Sequence, residues 1–349
     1  MKPIRGRGAA DNPANPYQTV RLEYERDEVT GERPPAEREL LKDHTDGIIS
    51  TNRSPDIPFN KSLNPYRGCE HGCAYCYARP THEYLGFSAG LDFETKIVVK
   101  HRAPELLRQE LARKSWKPET LARSGVTDPY QPVERELRLT RGCLEVLSEA
   151  RHPLVSITKN HLVTRDIDLL TPLAEAGAVR VVVSVTTLDR ELAGVMEPRT
   201  SRPARRIDAI RALSDADIPV SVNVAPIIPG LTDHECVGIL EAAADAGASS
   251  AGYTLLRLPG SVRELFLEWL ELHAPDRKRK VVNRLLDMRN GALYRSEFGV
   301  RFTGEGAFAE QIGGLFRQTV RRLGMESRGE SLSARHFRRP ASPGQMELL

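Results

Sequence analysis

The stretch Leu63-Asn64-Pro65-Tyr66-Arg67-Gly68-Cys69-Glu70-His71-Gly72-Cys73-Ala74-Tyr75-Cys76-Tyr77 decides how the rest of the chain is read. Cys69, Cys73 and Cys76 stand in C-x3-C-x2-C spacing and are three of only five cysteines in 349 residues. Thiolates are soft ligands that suit zinc or iron–sulfur clusters. A structural zinc site usually takes four protein ligands, often as two Cys/His pairs. His71 or His82 is available as a fourth, but no second C-x-x-C follows. A ferredoxin-type site uses C-x2-C-x2-C with a further cysteine, and Cys143 and Cys236 lie far away in helical sequence. Three clustered thiols are odd in number, which does not suit a disulfide framework. A cubic four-iron cluster on three thiolates leaves one iron open to a substrate or cofactor.

Outward from that stretch, composition sets broad bounds. Hydrophobic residues make up 40% and charged residues 28%, with a net charge of +3, values ordinary for a globular protein. No apolar run approaches the ~18 residues that a membrane span needs. The basic start, Met1 to Gly8, lacks the apolar core of a secretory signal. Few cysteines, clustered, suit a reducing cytosol, so a cytoplasmic location is expected. Basic residues gather at Arg277 to Lys280 and at Arg317, Arg321, Arg322, Arg328, Arg335, Arg338 and Arg339. Each group is read either as a phosphate contact or as a solvated helix face or tail.

Residues 1–60 read as an irregular leader, rich in Pro, Asn, Arg and Glu. From residue 61 β-branched segments alternate with amphipathic ones. Strands are expected at 62–66, 95–99, 120–126, 154–158, 179–185, 220–225 and 252–256. Helices are expected at 105–116, 134–150, 166–176, 204–214 and 234–246. Thr164 is placed to cap the third of these, and Gly177 and Gly247 to end two of them. The alternation implies βαβ units and an α/β fold with a parallel sheet. Six strands make a partial (βα)6 TIM-like barrel over 61–260, with 95–99 an extra edge strand. Sites on such sheets lie beyond the C-terminal strand ends, where the cysteine loop falls. Helices at 262–273, 280–289 and 307–323 form a helical C-terminal subdomain, 261–325, that closes the open side. Residues 326–349 read as a flexible basic tail.

The cysteine motif and these strand ends together resemble the radical S-adenosylmethionine (SAM) enzymes, over roughly residues 60–325. The resemblance implies a [4Fe-4S] cluster on Cys69, Cys73 and Cys76, with SAM on the open iron. It puts the backbone of Tyr75, just before the third cysteine, near the adenine; by itself Tyr75 is equally an ordinary loop residue. The second barrel strand ends Thr127-Asp128-Pro129-Tyr130-Gln131-Pro132-Val133-Glu134, without the Gly-Gly-Glu run of the wider family. This form is similar to the group related to spore photoproduct lyase, and Asp128 is its candidate partner for the methionyl ammonium. The other reading of Asp128-Pro129 is a turn that caps the next helix. At the third strand end Lys159 is the implied carboxylate contact, with Arg165 second, although strand-end lysines are common. Ser184 is the ribose candidate. The fifth strand end, Asn223 to Asp233, resembles the adenine-packing segment through Ile228 and Gly230, with Pro226 and Asp233 departing from its pattern. Asn223 is expected to point into the barrel, and Asp233 to start a helix.

Cys143 and Cys236 read as small core residues. Glu197-Pro198-Arg199-Thr200 reads as either substrate-side lining or a helix end. The Arg5-Gly6-Arg7-Gly8-Ala9 leader, the S-L-N-P-Y-R-G-C run and Phe337-Arg338-Arg339-Pro340 resemble one uncharacterised family within the lyase-related group. The resemblance implies one-electron cleavage of SAM to a 5′-deoxyadenosyl radical that removes hydrogen from a substrate. It also implies an electron donor such as flavodoxin or ferredoxin. A nucleic acid is one possible substrate class, and no membrane partner is expected. Thymine-dimer reversal is disfavoured: the lyase's hydrogen-donating cysteine precedes its strand-end Thr/Ser-Asp pair, where this chain has Gly125 and no cysteine between 77 and 142. A cluster used only for electron transfer or scaffolding is the non-enzymatic alternative.

Overall fold

The structure, a computed structural model, describes residues 3–18, 37–326 and 331–341. In chain order its strands are β1 (Glu39–Lys42), β2 (Ile49–Thr51), β3 (Lys61–Leu63), β4 (Tyr66–Arg67) and β5 (Lys96–Val99). They continue as β6 (Leu121–Arg123), β7 (Leu154–Thr158), β8 (Val179–Val185), β9 (Val220–Ile227) and β10 (Ser250–Leu255). The main sheet runs β10-β9-β8-β7-β6-β3-β2. Its pairs from β3 to β10 are all parallel, and β2 adds antiparallel to β3. Six parallel strands joined by helices are the expected partial barrel.

Alternation along the strands sorts their two faces. In β8, Val179, Val181, Val183 and Val185 enter the main core with the covering helices, which leaves Arg180, Val182 and Ser184 on the opposite, inner face. In β9 the core takes Val220, Val222 and Val224, leaving Ser221, Asn223 and Ala225 inward. The outer layer is apolar and the inner face carries hydroxyls and an amide. A polar lumen of that kind suits a bound polar cofactor better than a packed core.

Four expectations change here. The segment expected as an extra edge strand, β5, lies between β1 and β4 in a separate three-stranded sheet, and β2 takes the barrel edge. The leader is therefore not wholly irregular, since β1 and β2 come from it. The expected helix at 134–150 is two helices, Glu134–Leu137 and Leu139–Glu149, broken at Arg138 with φ 53°. The break lets the Glu134 carboxylate accept from the backbone N–H of Thr140 at 2.9 Å and of Arg141 at 3.2 Å. It thereby caps the second helix. Thr164 caps nothing: it sits inside a 3-10 turn, His161–Asp166, whose cap is the Asn160 side chain on the N–H of Leu162. Gly177 and Gly247 do end their helices, at φ 63° and 93°.

Helices Val262–His273 and Pro275–Asp287 share an apolar cluster with Cys73, Ala74, Tyr75, Met196 and Ile228. Helix Ala307–Arg322 packs instead on the main core through Ile312, Phe316 and Val320. Part of the expected flexible tail is docked. Phe337 meets His152 edge-on at 5.5 Å, and Arg339 donates to the carbonyl of Leu111 at 3.1 Å at the end of helix Ala103–Ala112. Residues 342–349 of that tail and 19–36 of the leader lie outside the described residues.

Candidate iron–sulfur and cofactor site

The cysteine loop leaves β4 at Gly68, with φ 79°. A Cβ there would stand 3.0 Å from the carbonyl oxygen of Phe93, and one on Gly72, φ 65°, would stand 2.6 Å from a Glu94 carboxylate oxygen. Only glycine suits both places. The loop is tied from several sides. Cys69 N donates to the carbonyl of Phe93 at 2.9 Å and Glu70 N to Gln131 Oε1 at 2.9 Å. Ala74 N donates to the carbonyl of Met196 at 3.0 Å. Arg79 donates through Nε to the carbonyl of Cys73 at 3.0 Å and pairs with Glu94 at 2.6 Å, both side chains fully buried. Glu94 also accepts from the backbone N–H groups of Gly8 and Ala9, at 3.2 and 2.9 Å. The leader is thus threaded against the loop.

All five cysteines are free. Cys143 and Cys236 are buried in the main core, away from the loop, as expected. Burial pushes the Cys73 thiol well above its ordinary value, reinforced by the Glu197 charge, with smaller effects from Cys76 and Cys69 and opposition from Lys159. Burial and the nearby Cys69 push the Cys76 thiol up to about 11. The three thiols therefore lie within electrostatic reach of one another. No group of three or more His, Cys, Asp or Glu among the described residues is arranged to hold a single metal ion. A cubic cluster asks for one thiolate on each of three irons, and three free, clustered thiols, Cys69 and Cys73 buried and Cys76 half-buried, fit that donor set.

His71 is not an available fourth ligand. Its Nδ1 lies 3.4 Å from Asp128 and its Nε2 3.1 Å from Asn160 Nδ2. Burial pulls its pKa down, but the charges of Asp128 and Cys69 outweigh burial and raise it to about 10. His82 has Nε2 on the carbonyl of Lys96 at 3.0 Å.

The strand-end residues divide into two groups. Thr158 pairs with Val183, and Ser184 with Asn223. Lys159, one residue past Thr158, is therefore level with Ser184, near the end of β8, and with Asn223, midway along β9, on the inner face. Lys159 Nζ donates to the carbonyl of Ala225 at 3.2 Å and lies 5.8 Å over the Tyr75 ring. Burial lowers its pKa, while Cys73, Asp128 and Cys76 pull it back up. Ile228 is buried in the same cluster as Cys73 and Tyr75. Lys159, Ile228 and Tyr75 thus border one region with Cys73, and Ser184 and Asn223 are related to Lys159 by strand register.

Asp128 and Arg165 are differently placed. Asp128 accepts from Thr158 Oγ1 at 2.7 Å, Lys159 N at 2.8 Å and Tyr130 N at 2.9 Å, besides its pair with His71. Its carboxylate is committed to joining the second and third strand ends to the loop. Arg165 is held by Glu134 at 2.9 Å and Asp166 at 2.7 Å. Those bonds brace the helices outside the barrel.

Sequence reading left one network unassigned. Tyr75 donates its hydroxyl to Glu197, and Thr186 donates to the same carboxylate oxygen at 2.8 Å. Arg206, fully buried, donates to Glu197 at 2.5 Å. Together these side chains fix the Tyr75 hydroxyl. Arg206 falls within the helix expected at 204–214, and periodicity carried no sign of this contact. Glu197 was visible only as lining or helix end.

Comparison with known proteins follows the same lines. The family model of the radical SAM superfamily matches residues 63–243. An uncharacterised protein of Mycobacterium tuberculosis is 41% identical over 222 residues, covering 63% of this chain and 65% of the relative. The match thus spans somewhat less than two thirds of that relative's length. An uncharacterised protein of Methanocaldococcus jannaschii is 30% identical over 199 residues, 57% of this chain and 71% of the relative. Among solved structures, a spore photoproduct lyase variant with bound AdoMet and dinucleoside spore photoproduct superposes with a TM-score of 0.58. It covers 82% of this chain and 80% of its own at 16% identity, so the likeness is one of fold. With the cysteine loop, the parallel partial barrel and a family match over more than half its residues, the chain belongs to the radical SAM superfamily.

Proposed function

We propose that this protein is a radical SAM enzyme whose Cys69, Cys73 and Cys76 hold a [4Fe-4S] cluster. The observation that carries the reading is the setting of the thiols: three, free and clustered, beside Lys159 at the strand ends of a parallel partial barrel. When bound and reduced, cluster and SAM supply methionine and a 5′-deoxyadenosyl radical that takes hydrogen from a substrate. An electron donor of the flavodoxin or ferredoxin type supplies the reducing equivalent.

The chain's residues bind, orient and shield. Lys159 takes the methionyl carboxylate as a charge-assisted hydrogen bond. Ser184 and Asn223, level with it, meet the ribose and its surroundings, and Ile228 with the Tyr75 backbone borders the adenine. Asp128 acts by position: it holds Lys159 N and His71 in place rather than reaching the ammonium itself. The helices over the loop exclude water and competing reactions.

Anaerobic reconstitution with iron and sulfide, reduction with SAM present, and chromatography for 5′-deoxyadenosine test the reading. Product formation dependent on all three cysteines supports it. A loaded cluster with no product and no SAM-induced change in its EPR spectrum would instead assign electron transfer or scaffolding.

A further inference from the structure

Beyond the end of β10 the chain continues Leu256-Arg257-Leu258 along the same rim as the cysteine loop. The Arg257 guanidinium lies 5.0 Å from the ring of Tyr77, the residue after Cys76, and 4.6 Å from the ring of Phe302. Arg289, fully buried, lies close enough for the two charges to repel. Burial lowers its pKa, Tyr294 opposes that, and Arg257 lowers it further. Among the described residues no carboxylate pairs with either guanidinium. Neighbouring arginines are neutralised: Arg301 by Asp56 at 2.7 Å, and Arg295 by Glu297 and Glu305 at 2.5 Å each.

The donors are also unmatched. Arg289 gives one nitrogen to the carbonyls of Leu256 and Arg301, at 2.7 and 3.4 Å. Its Nε and other terminal nitrogen are buried with no protein acceptor, as is Arg257 Nε. Buried donors without acceptors are costly, and two adjacent unpaired guanidiniums are more so. An anion with several acceptor oxygens answers both deficits, and the guanidinium fork matches phosphate. The surroundings point to what carries that phosphate. Tyr77, 47% exposed, lies against Arg257, and Phe298, 60% exposed, lies against Arg301, whose backbone carbonyl accepts from Arg289 at 3.4 Å. That pairing of arginine with open rings is how unpaired bases are held.

We propose that Arg257 and Arg289 form a phosphate-binding subsite for a nucleotidyl substrate, with Tyr77 and Phe298 as stacking faces, at the rim of the radical site. The proposal rests on the radical SAM reading for the chemistry, while the subsite itself is a binding property measured apart from it. Inorganic phosphate, a nucleoside, its 5′-monophosphate and a short single-stranded oligonucleotide are titrated by equilibrium dialysis against reconstituted protein. SAM affinity and 5′-deoxyadenosine yield are followed in parallel. Phosphate and the monophosphate should bind, the nucleoside at least tenfold more weakly, and Arg257→Gln should cost phosphate binding at least tenfold. Arg257→Lys, which keeps the charge but not the fork, should lose less. Arg289→Gln gives a second reading if it folds. Arg322→Gln, an exposed control of equal charge change, should bind phosphate as the parent does. Oligonucleotide binding much tighter than the monophosphate identifies a polymer as the source of the phosphate; equal binding identifies a free nucleotide. Phosphate binding that is absent, or unchanged in Arg257→Gln, overturns the subsite. A loss of SAM affinity matching the loss of phosphate also overturns it, by assigning the arginines to the cofactor carboxylate. Loss of 5′-deoxyadenosine formation in the parent protein, with phosphate still bound, sinks the enzymatic reading alone.

Discussion

On the proposed reading Cys69, Cys73 and Cys76 each supply one thiolate to the cluster, and no further thiol lies in the loop to replace one. Alanine at any one should leave a protein without an intact four-iron cluster and without 5′-deoxyadenosine formation. Iron and sulfide analysis after reconstitution checks this, and normal cluster content in a variant rules out that cysteine as a ligand. Lys159 invites a different expectation. Its ammonium is near the loop but bonds only a carbonyl of the chain. Lys159→Ala should therefore keep the cluster and lose SAM affinity by ~10–100-fold, the worth of a hydrogen bond between charged groups. Calorimetric titration of the reconstituted protein with SAM decides it, and unchanged affinity removes Lys159 from the site.

At the scale of elements, Glu134 shows one side chain holding several together. It caps helix Leu139–Glu149, accepts from Tyr66 Oη at 2.5 Å next to the cysteine loop, and pairs with Arg165 after β7. Glu134→Ala would strip a buried carboxylate from three partners at once. Removing one member of a buried pair costs about 3–5 kcal/mol. The variant should unfold at clearly lower urea concentration with an unchanged m-value. Glu134→Gln, which keeps an acceptor, should lose less. Equal stability of Glu134→Ala and the parent would contradict this bracing role.

Over the whole molecule, the chain's two ends return to the barrel at different places. The leader meets the cysteine loop through Glu94, and residues 333–339 lie along the helices at the opposite part of the sheet. His152 stands under that second contact. It accepts from Trp116 Nε1 at 3.2 Å through Nε2 and faces Phe337. Burial lowers its pKa from 6.5 to about 4, against a smaller upward pull from the Pro153 carbonyl. The unfolded chain therefore takes up this proton first as pH falls. The stability tied to neutral His152 is complete above pH 6.5 and drains away between 6.5 and 4, by roughly 2–3 kcal/mol. His152→Gln keeps an acceptor for Trp116 and does not titrate. Its loss of stability over that window should be the shallower of the two, as read by urea unfolding at a series of pH values. Parallel pH profiles would remove His152 from the account.

Local pattern made the barrel and the cluster legible. The period-two valines of β8 and β9, the amphipathic helices between strands, and three cysteines within eight residues are short-range signals. Their consequences follow from geometry that any chain obeys. The resemblance, not the pattern, singled out Lys159, Ser184 and Asn223, which the sheet register sets level on neighbouring strands. Tertiary structure alone decided how charges were spent. Asp128 reads as free until His71, Thr158 and Lys159 N are seen to surround it. Arg165 reads as a ligand until Glu134 and Asp166 claim it. Glu197 reads as lining or a helix end, and Arg206 as one residue of a helix, until the Glu197 carboxylate is seen to take Tyr75, 122 residues before it, on one oxygen and Arg206 on the other. Ionic and hydrogen-bond partners are chosen by distance in space, and periodicity in sequence carries no record of that distance.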